Sequence, residues 1–445
     1  MKSIRFSVLL TAVILILAQS AGAAEPRELT IDSFASLVKQ YSKDLKLAQK
    51  DREEADAQKS EAISLALPHV SAQASYTRNL SDTYMYMDLS SLTGEDGIMK
   101  VDANRNNEYA AGVSLRQTLF SPTVFNAIEA AKQYRKMTDY IYDATYQQIM
   151  TLAKQAFSQT LLLEKVVEVA AMSEQNAYDN YIDTKNKFDN GLASEFELLQ
   201  AESRYRERVP TTASAKRNLD LALIDLKNLA GIPVDTEIKL IGSLDTYPDM
   251  PTNVGLDIVL EQRPDYNALL WEERLRKTDV SAQRSAYFPS LSAVAGYGYA
   301  AQSNDFKLEE ENNSWTVGLV LSVPIFQGGE TRARVRQANV RLEKSRLELS
   351  RFRDDVEKQL QGVKLRLTEA HARIASAKAS LETANKAFSI AEKTSKVGLT
   401  TQLELKDARV AKDQATVGYY SAVFEYLAAW YDWQRISGAM TESDS

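Results

Sequence analysis

Glu404 and Asp407 are the two side chains whose type and spacing invite a chemical reading. Three residues apart, they fall on one face of a helix, where two carboxylates repel each other and attract cations. A solvated helix face uses the same pattern, and spacing alone leaves both readings open. The rest of the inventory is sparse. Histidine occurs only at His69 and His371, without a second ligand at metal spacing, so a solvated or packed ring is the default. Cysteine is absent, which removes disulfides, thiolate metal sites, a Cys nucleophile and the residue an N-terminal lipid anchor needs. No phosphate-binding loop, nucleophile elbow or nucleotide fingerprint is present. The chain is therefore expected to be no enzyme and to need no cofactor or metal.

Residues 1–24 predict a secretory signal. Lys2 and Arg5 give the positive start, Phe6 to Ala18 the apolar run, and Ala21-Gly22-Ala23 a small-x-small cleavage site. Removing those two cations takes the formal charge from -7 to -9, a mildly acidic balance that argues against nucleic acid. After the leader no apolar run reaches ~18 residues, so a transmembrane helix is not expected. Any entry of the chain into a membrane must be as a β-barrel.

The elements that would position the carboxylates are dominated by one heptad stretch, Thr331 to Val397. Val335, Leu342, Leu349, Val356, Val363, Ala370, Ala377, Ala384 and Ala391 recur every seven residues. Leu360, Leu367, Ile374, Leu381 and Phe388 follow four residues behind five of them, which makes a coiled-coil seam. As one helix it would be on the order of 100 Å long at ~1.5 Å per residue. Pro122 to Asn190 is a second arm of the same kind, with Ile149, Ala156, Leu163, Ala170 and Ala177 at sevens. Shorter helices, Thr30 to Leu67, Ser194 to Ala230, Asn253 to Tyr287 and Thr401 to Gly438, pair end to end into two broken arms.

The chain is duplicated. Asp44 to Tyr76 aligns without a gap on Asp265 to Tyr297, with Ser60/Ser281, Ser64/Ser285, Pro68/Pro289 and Tyr76/Tyr297 among the identities. Gly112 to Phe120 resembles Gly318 to Phe326, and Gly191 to Glu197 matches Gly398 to Glu404. The boundaries read as a leader at 1–24, a first repeat at 25–234, a linker at 235–252 and a second repeat at 253–445. Each repeat holds two strands with period-2 patterning. Val70, Ala72, Ala74 and Tyr76 alternate with Ser71, Gln73, Ser75 and Thr77, and Trp315, Val317, Leu319 and Leu321 alternate with Thr316, Gly318 and Ser322. Strands of ~9 to 11 residues with one apolar and one small polar face fit a transmembrane barrel, with a soluble two-hairpin sheet as the alternative. Four strands cannot close a barrel, for which ~8 is the practical minimum, so other copies must supply the rest.

The loops differ between repeats. Arg78 to Asn107 is long and holds Tyr84, Met85, Tyr86 and Met87, then Gly94-Glu95-Asp96-Gly97; its Tyr/Met cluster reads either as a recognition surface or, as the default, as a loop folding onto its own apolar residues. Ala301 to Asn313 is short and acidic. Ser121-Pro122 and Gly328-Gly329 mark the starts of the long helices, and Pro68 and Pro289 stop the helices before the first strand of each repeat.

Arg263-Pro264-Asp265, Tyr287 to Ser292, the helix end Leu226, Leu229, Gly231 and Pro233, the two Gly-Leu turns, and the closing Tyr419-Tyr420 to Gly438 helix together make the chain resemble the TolC-like outer-membrane efflux proteins. The likeness covers essentially the whole chain after the leader. It implies an all-α coiled-coil helical barrel plus a transmembrane β-barrel, internally duplicated, with four strands per chain and twelve in a homotrimer. It also implies the outer membrane of a Gram-negative bacterium with a large periplasmic portion, and outer-membrane lipid around the barrel. By the same resemblance, Gly191, Leu192, Ser194, Gly398, Leu399 and Thr401 belong to periplasmic tips that dock an adaptor (membrane fusion) protein. Glu404 and Asp407 match acidic residues that ring the tunnel entrance, although Glu stands where Asp is more usual and Lys406 lies between them. A plain helical hairpin turn is the alternative at the tips. The function so implied is a passive duct for tripartite efflux or type I secretion, driven by an inner-membrane transporter, since nothing in this chain supplies energy. The rival is a periplasmic coiled-coil scaffold or adaptor without a membrane barrel.

Overall fold

The computed structural model describes residues 27–88, 98–397 and 399–440; the leader read at 1–24, Gly94 to Gly97 and Gly398 lie outside the described residues. In chain order the elements are β1 (Arg27–Leu29), α1 (Ile31–Tyr41), α2 (Lys43–Ser64), β2 (His69–Arg78), β3 (Tyr84–Asp88), β4 (Ile98–Asp102), β5 (Asn107–Phe120), α3 (Pro122–Asp189), α4 (Glu195–Leu229), β6 (Ile238–Leu240), α5 (Leu256–Gln262), α6 (Pro264–Ser285), β7 (Ser290–Ser303), β8 (Asn312–Ser322), α7 (Glu330–Lys396) and α8 (Gln402–Ile436). Two compact units divide them: the described residues within 27–49, 141–266 and 352–440 form one, and those within 50–140 and 267–351 the other. Both sequence repeats contribute to both units. Among the described residues no helix is long and apolar enough to cross a membrane.

The unit of residues 50–140 and 267–351 carries an antiparallel sheet of order β2-β5-β7-β8. Its register preserves the alternation seen in the sequence. Ala72 stands opposite Val113, Val113 opposite Tyr297 and Tyr297 opposite Trp315, so one face is apolar across all four strands. On the other face Gln73, Gly112, Gly298 and Ser314 form one row, and Ser71, Ser114, Gly296 and Thr316 the next. Ser71 and Ser114 share a hydrogen bond of 2.8 Å between their hydroxyls. Crowding on this polar face explains its glycines. A Cβ on Gly112 would stand 3.2 Å from the Tyr297 carbonyl, and one on Gly296 3.2 Å from the Thr316 hydroxyl. The apolar face is open: Trp315 is 79 % and Val317 87 % exposed. Among the described residues no strand pairs with the outer edges of β2 and β8.

The long β2–β5 connection departs from expectation. β3 and β4 within it pair as a second hairpin, but Tyr84, Met85, Tyr86 and Met87 all stay exposed instead of packing against the loop's own apolar residues. Five-residue strands present too few positions for alternation to stand out from a loop. Elsewhere in this unit α7 packs on α6 through Val280, Ala338 and Leu342, flanked by an Arg346–Glu273 pair at 2.8 Å.

In the other unit the seam of α7 is the core's spine. Val356, Val363, Leu367, Ala370 and Ile374 are buried, while Ala377, Leu381, Ala384, Phe388 and Ala391 are half-buried and most positions between them are exposed. Val363, Leu367 and Ile374 join Phe34, Phe157, Leu226 and Tyr426 in one cluster. The 235–252 segment is tied to that cluster in two ways. β6 pairs in parallel with β1, and the Tyr426 hydroxyl donates to the Pro248 carbonyl at 2.9 Å while burial pushes its phenol up to about 12.

Two helices expected to be continuous are each broken once, at equivalent positions of the duplication. Ser42 separates α1 from α2 and Arg263 separates α5 from α6; both residues leave helical geometry, with ψ of 127° and 117°. No proline enforces the first break, where Lys43 follows Ser42. At the second, Pro264 pushes Arg263 to an extended conformation. Against the last residue of each short helix rests a glycine that ends a returning helix. Gly231 (φ +65°) faces Tyr41, and Gly438 (φ +73°) faces Gln262. A Cβ on Gly438 would lie 2.9 Å from the Gln262 carbonyl carbon, which is backbone and cannot turn away. Gly438→Ala is expected to destabilise the chain by at least ~1–2 kcal/mol from the left-handed backbone alone, seen as a lower thermal midpoint by circular dichroism. An unchanged midpoint would contradict this packing.

Candidate functional site

The described parts of the two helix turns are alike. At the first, the Gly191 amide donates to the Phe188 carbonyl at 2.8 Å and the Leu192 amide to the Lys187 carbonyl at 2.7 Å, with Gly191 at φ +72°. This pair of bonds satisfies carbonyls that the end of α3 would leave open, and it requires the left-handed backbone glycine permits. At the second turn the Leu399 amide donates to the Thr394 carbonyl at 2.9 Å, the equivalent of the Leu192 bond. Gly398 lies outside the described residues. Leu192 is 78 % and Leu399 80 % exposed, so each turn presents a bare leucine.

Capping follows at once on both sides. Ser194 starts α4: its hydroxyl accepts from the Glu197 amide at 3.3 Å, and the Glu197 carboxylate accepts from the Ser194 amide at 2.8 Å. Thr401 starts α8 in the same manner, its hydroxyl accepting from the Glu404 amide at 3.2 Å and the Glu404 carboxylate accepting from the Thr401 amide at 2.8 Å. These are reciprocal capping boxes. The Thr401 amide and hydroxyl hold the Glu404 carboxyl below the usual range, and Ser194 does the same to Glu197. The pattern Ser/Thr-x-x-Glu was visible in the sequence as a capping signal, and reading Glu404 for its charge alone missed it.

Asp407 lies one turn further along α8 and is exposed. The repeat places Gln200 where the second half has Asp407, so this carboxylate, unlike that of Glu404, has no counterpart in the first half. Cations surround the level of Asp407. Burial and then the Arg204 guanidinium push the Lys406 ammonium below the lysine range, with Arg208 acting in the same direction and Asp407 and Glu207 against it. Further along, Arg409 and Lys412 lie over the Phe388 ring at 5.3 and 4.9 Å. The structure thus gathers a mixed charge cluster, not a purely acidic one. The contributions of Arg204 and Arg208 were not foreseen, since α4 and α8 are far apart in sequence.

The two histidines sit away from these turns. His69 Nδ1 is 3.0 Å from the Leu67 carbonyl, and the His371 ring lies 5.8 Å from the Tyr426 ring. Among the described residues no group of three or more His, Cys, Asp or Glu side chains is arranged to hold a metal ion.

Comparison with known proteins gives concordant results. A family model described as outer membrane efflux protein matches residues 35–232 and 255–435. The alkaline protease secretion protein AprF of Pseudomonas aeruginosa is 24% identical over 342 residues, covering 76% of this chain and 71% of that protein. The proteases secretion protein PrtF of Dickeya chrysanthemi is 26% identical over 342 residues, covering 75% and 71%. Among solved structures, the Campylobacter jejuni CmeC outer membrane channel superposes with a TM-score of 0.78 at 22% identity, over 93% of this chain and 87% of that one.

Proposed function

The chain belongs to the outer membrane efflux protein family, and from that membership we propose that it is the outer-membrane exit duct of a tripartite efflux or type I secretion system. The observation that carries this reading is the sheet. Its register places large apolar side chains on one exposed face and mostly glycine, serine and threonine on the other, with both edges open among the described residues. A face of Val, Leu, Tyr and Trp suits lipid, and an opposite face of small polar residues suits a watered lumen. Three copies bring four strands each, twelve in all, and leave no open edge. A soluble scaffold would leave the same apolar face in water, which disfavours that alternative.

The turns at Gly191, Leu192 and Ser194 and at Gly398, Leu399 and Thr401 are the docking tips for a periplasmic adaptor, through which an inner-membrane transporter supplies the driving force. Support comes from the repetition of the same rigid, capped turn with the same bare leucine. Glu404 and Asp407 mark the constriction, with the roles divided: Glu404 fixes the start of α8, and Asp407 contributes charge facing permeating ions, offset by Lys406. AprF and PrtF are named for protease secretion, which favours a polypeptide cargo. A deletion strain that keeps its secreted proteins and loses only resistance to small molecules would reverse that preference.

Single-channel recording of the purified mature protein in a planar bilayer tests the duct. A small, cation-preferring conductance is expected, with the preference reduced in Asp407→Asn. The Glu404→Ala/Asp407→Ala variant is expected to conduct more than the wild type, because a cap and a charge are lost together. Channels indifferent to either change would remove the constriction from these residues, and failure of any channel to insert would remove the duct.

A further inference from the structure

We propose that the β3–β4 hairpin is a binding site for a soft monovalent cation, Cu(I) or Ag(I), held by the thioethers of Met85, Met87 and Met99. The register pairs Met87 with Met99 and Met85 with Val101, so these four residues share one face of the hairpin. The opposite face carries Tyr84, Tyr86 and Lys100, and the Lys100 ammonium lies 3.3 Å from the Tyr84 ring centroid, which confirms the assignment of faces. Directly opposed side chains on one face have Cβ atoms about 5 Å apart and diagonal neighbours about 7–8 Å, within reach of long side chains. Methionine has three rotatable bonds, so three sulfurs at these positions can converge on one ion.

Packing among the described residues of one chain does not account for the cluster. All three methionines are exposed, at 53 %, 43 % and 49 %, and hydrocarbon side chains would serve a buried contact equally well. What methionine adds is a neutral, polarisable donor, which selects Cu(I)-like ions over hard divalent ones. Three of the nine methionines of the chain fall within this hairpin. Cysteine is absent, so no thiolate competes, and the two histidines lie outside the hairpin. The site does not depend on the duct reading, because its test measures bound metal and not export.

Equilibrium dialysis of the detergent-purified mature protein against Ag(I) in a chloride-free nitrate buffer tests it, with Met85→Leu/Met87→Leu/Met99→Leu as the comparison. Leucine keeps the volume and apolar character and removes the sulfur. One Ag(I) per chain is expected for the wild type, with affinity at least tenfold weaker in the variant. Equal binding by both, or none by the wild type, overturns the site. X-ray absorption of Cu(I)-loaded wild type needs no variant to fold: a shell of sulfur neighbours supports the site, and a shell of nitrogen or oxygen overturns it.

Discussion

Replacing Leu192 and Leu399 together by aspartate is expected to abolish export while leaving the fold and oligomer intact. Each leucine is about four-fifths exposed and is held out by a turn whose geometry comes from backbone bonds, not from its own side chain. Surface substitutions of this kind usually change stability by less than about 0.5 kcal/mol. Docking is another matter. Burying a leucine against a partner is worth about 1.5–3 kcal/mol, so losing two per chain removes roughly 3–6 kcal/mol, or about 10² to 10⁴ in affinity. Burying two carboxylates without partners adds to that loss. The check is export from cells carrying the variant, alongside the elution volume and circular dichroism of the purified protein. Normal export would remove these turns as docking tips, whereas lost export with lost folding would assign the leucines to the chain's own structure.

Arg263→Met is expected to have the largest effect on stability. The arginine is almost fully buried at the α5–α6 break. It bonds both Asp265 carboxylate oxygens, at 2.9 and 2.5 Å, then Gln359 Oε1 at 3.2 Å and the Ile436 carbonyl at 3.4 Å. One side chain thereby joins α5, α6, α7 and the end of α8, and it satisfies a carbonyl that the last turn of α8 would leave open. Removing one partner of a buried ion pair costs about 3–5 kcal/mol; Asp265 keeps some access to water, so the lower end applies. A fall of several degrees in thermal midpoint is expected. Arg353→Ala is the control, since its 3.3 Å pair with Asp257 is exposed and such pairs are worth about 0–1 kcal/mol. Equal shifts for the two variants would show that burial at the break does not set the cost.

The two long helices were legible in the sequence to within one residue because heptads are a local, repeated signal, and the outer ends of the shorter ones to within three. Every seam position named from Val335 to Ala391 is buried or half-buried. The strands and their faces were legible for the same reason, through alternation. Ser42 was not: without a proline after it, nothing local separates this break from continuous helix, and only its equivalence to Arg263 in the duplication could have raised it. The β3–β4 hairpin was hidden by the brevity of its strands. At the turns the capping role of Glu404 was missed, because its carboxylate, three residues after Thr401, accepts from the Thr401 amide. Arg204 and Arg208 were missed because their place beside Lys406 is a tertiary fact.

The seam of α7 also has a mechanical gradient. In the row spaced by sevens, valine at 356 and 363 gives way to alanine at 370, 377, 384 and 391. Deep side chains interlock, and sliding past one another means lifting each from its hole; alanine makes shallow contacts that a neighbouring helix can cross with little unpacking. Burial falls off in step, from fully buried at Val356 and Val363 to half-buried beyond Ala370. Bending of the α7–α8 hairpin under a load at its turn is therefore expected to concentrate beyond Ile374, where Leu381 and Phe388 are the only large seam residues left and are half-buried.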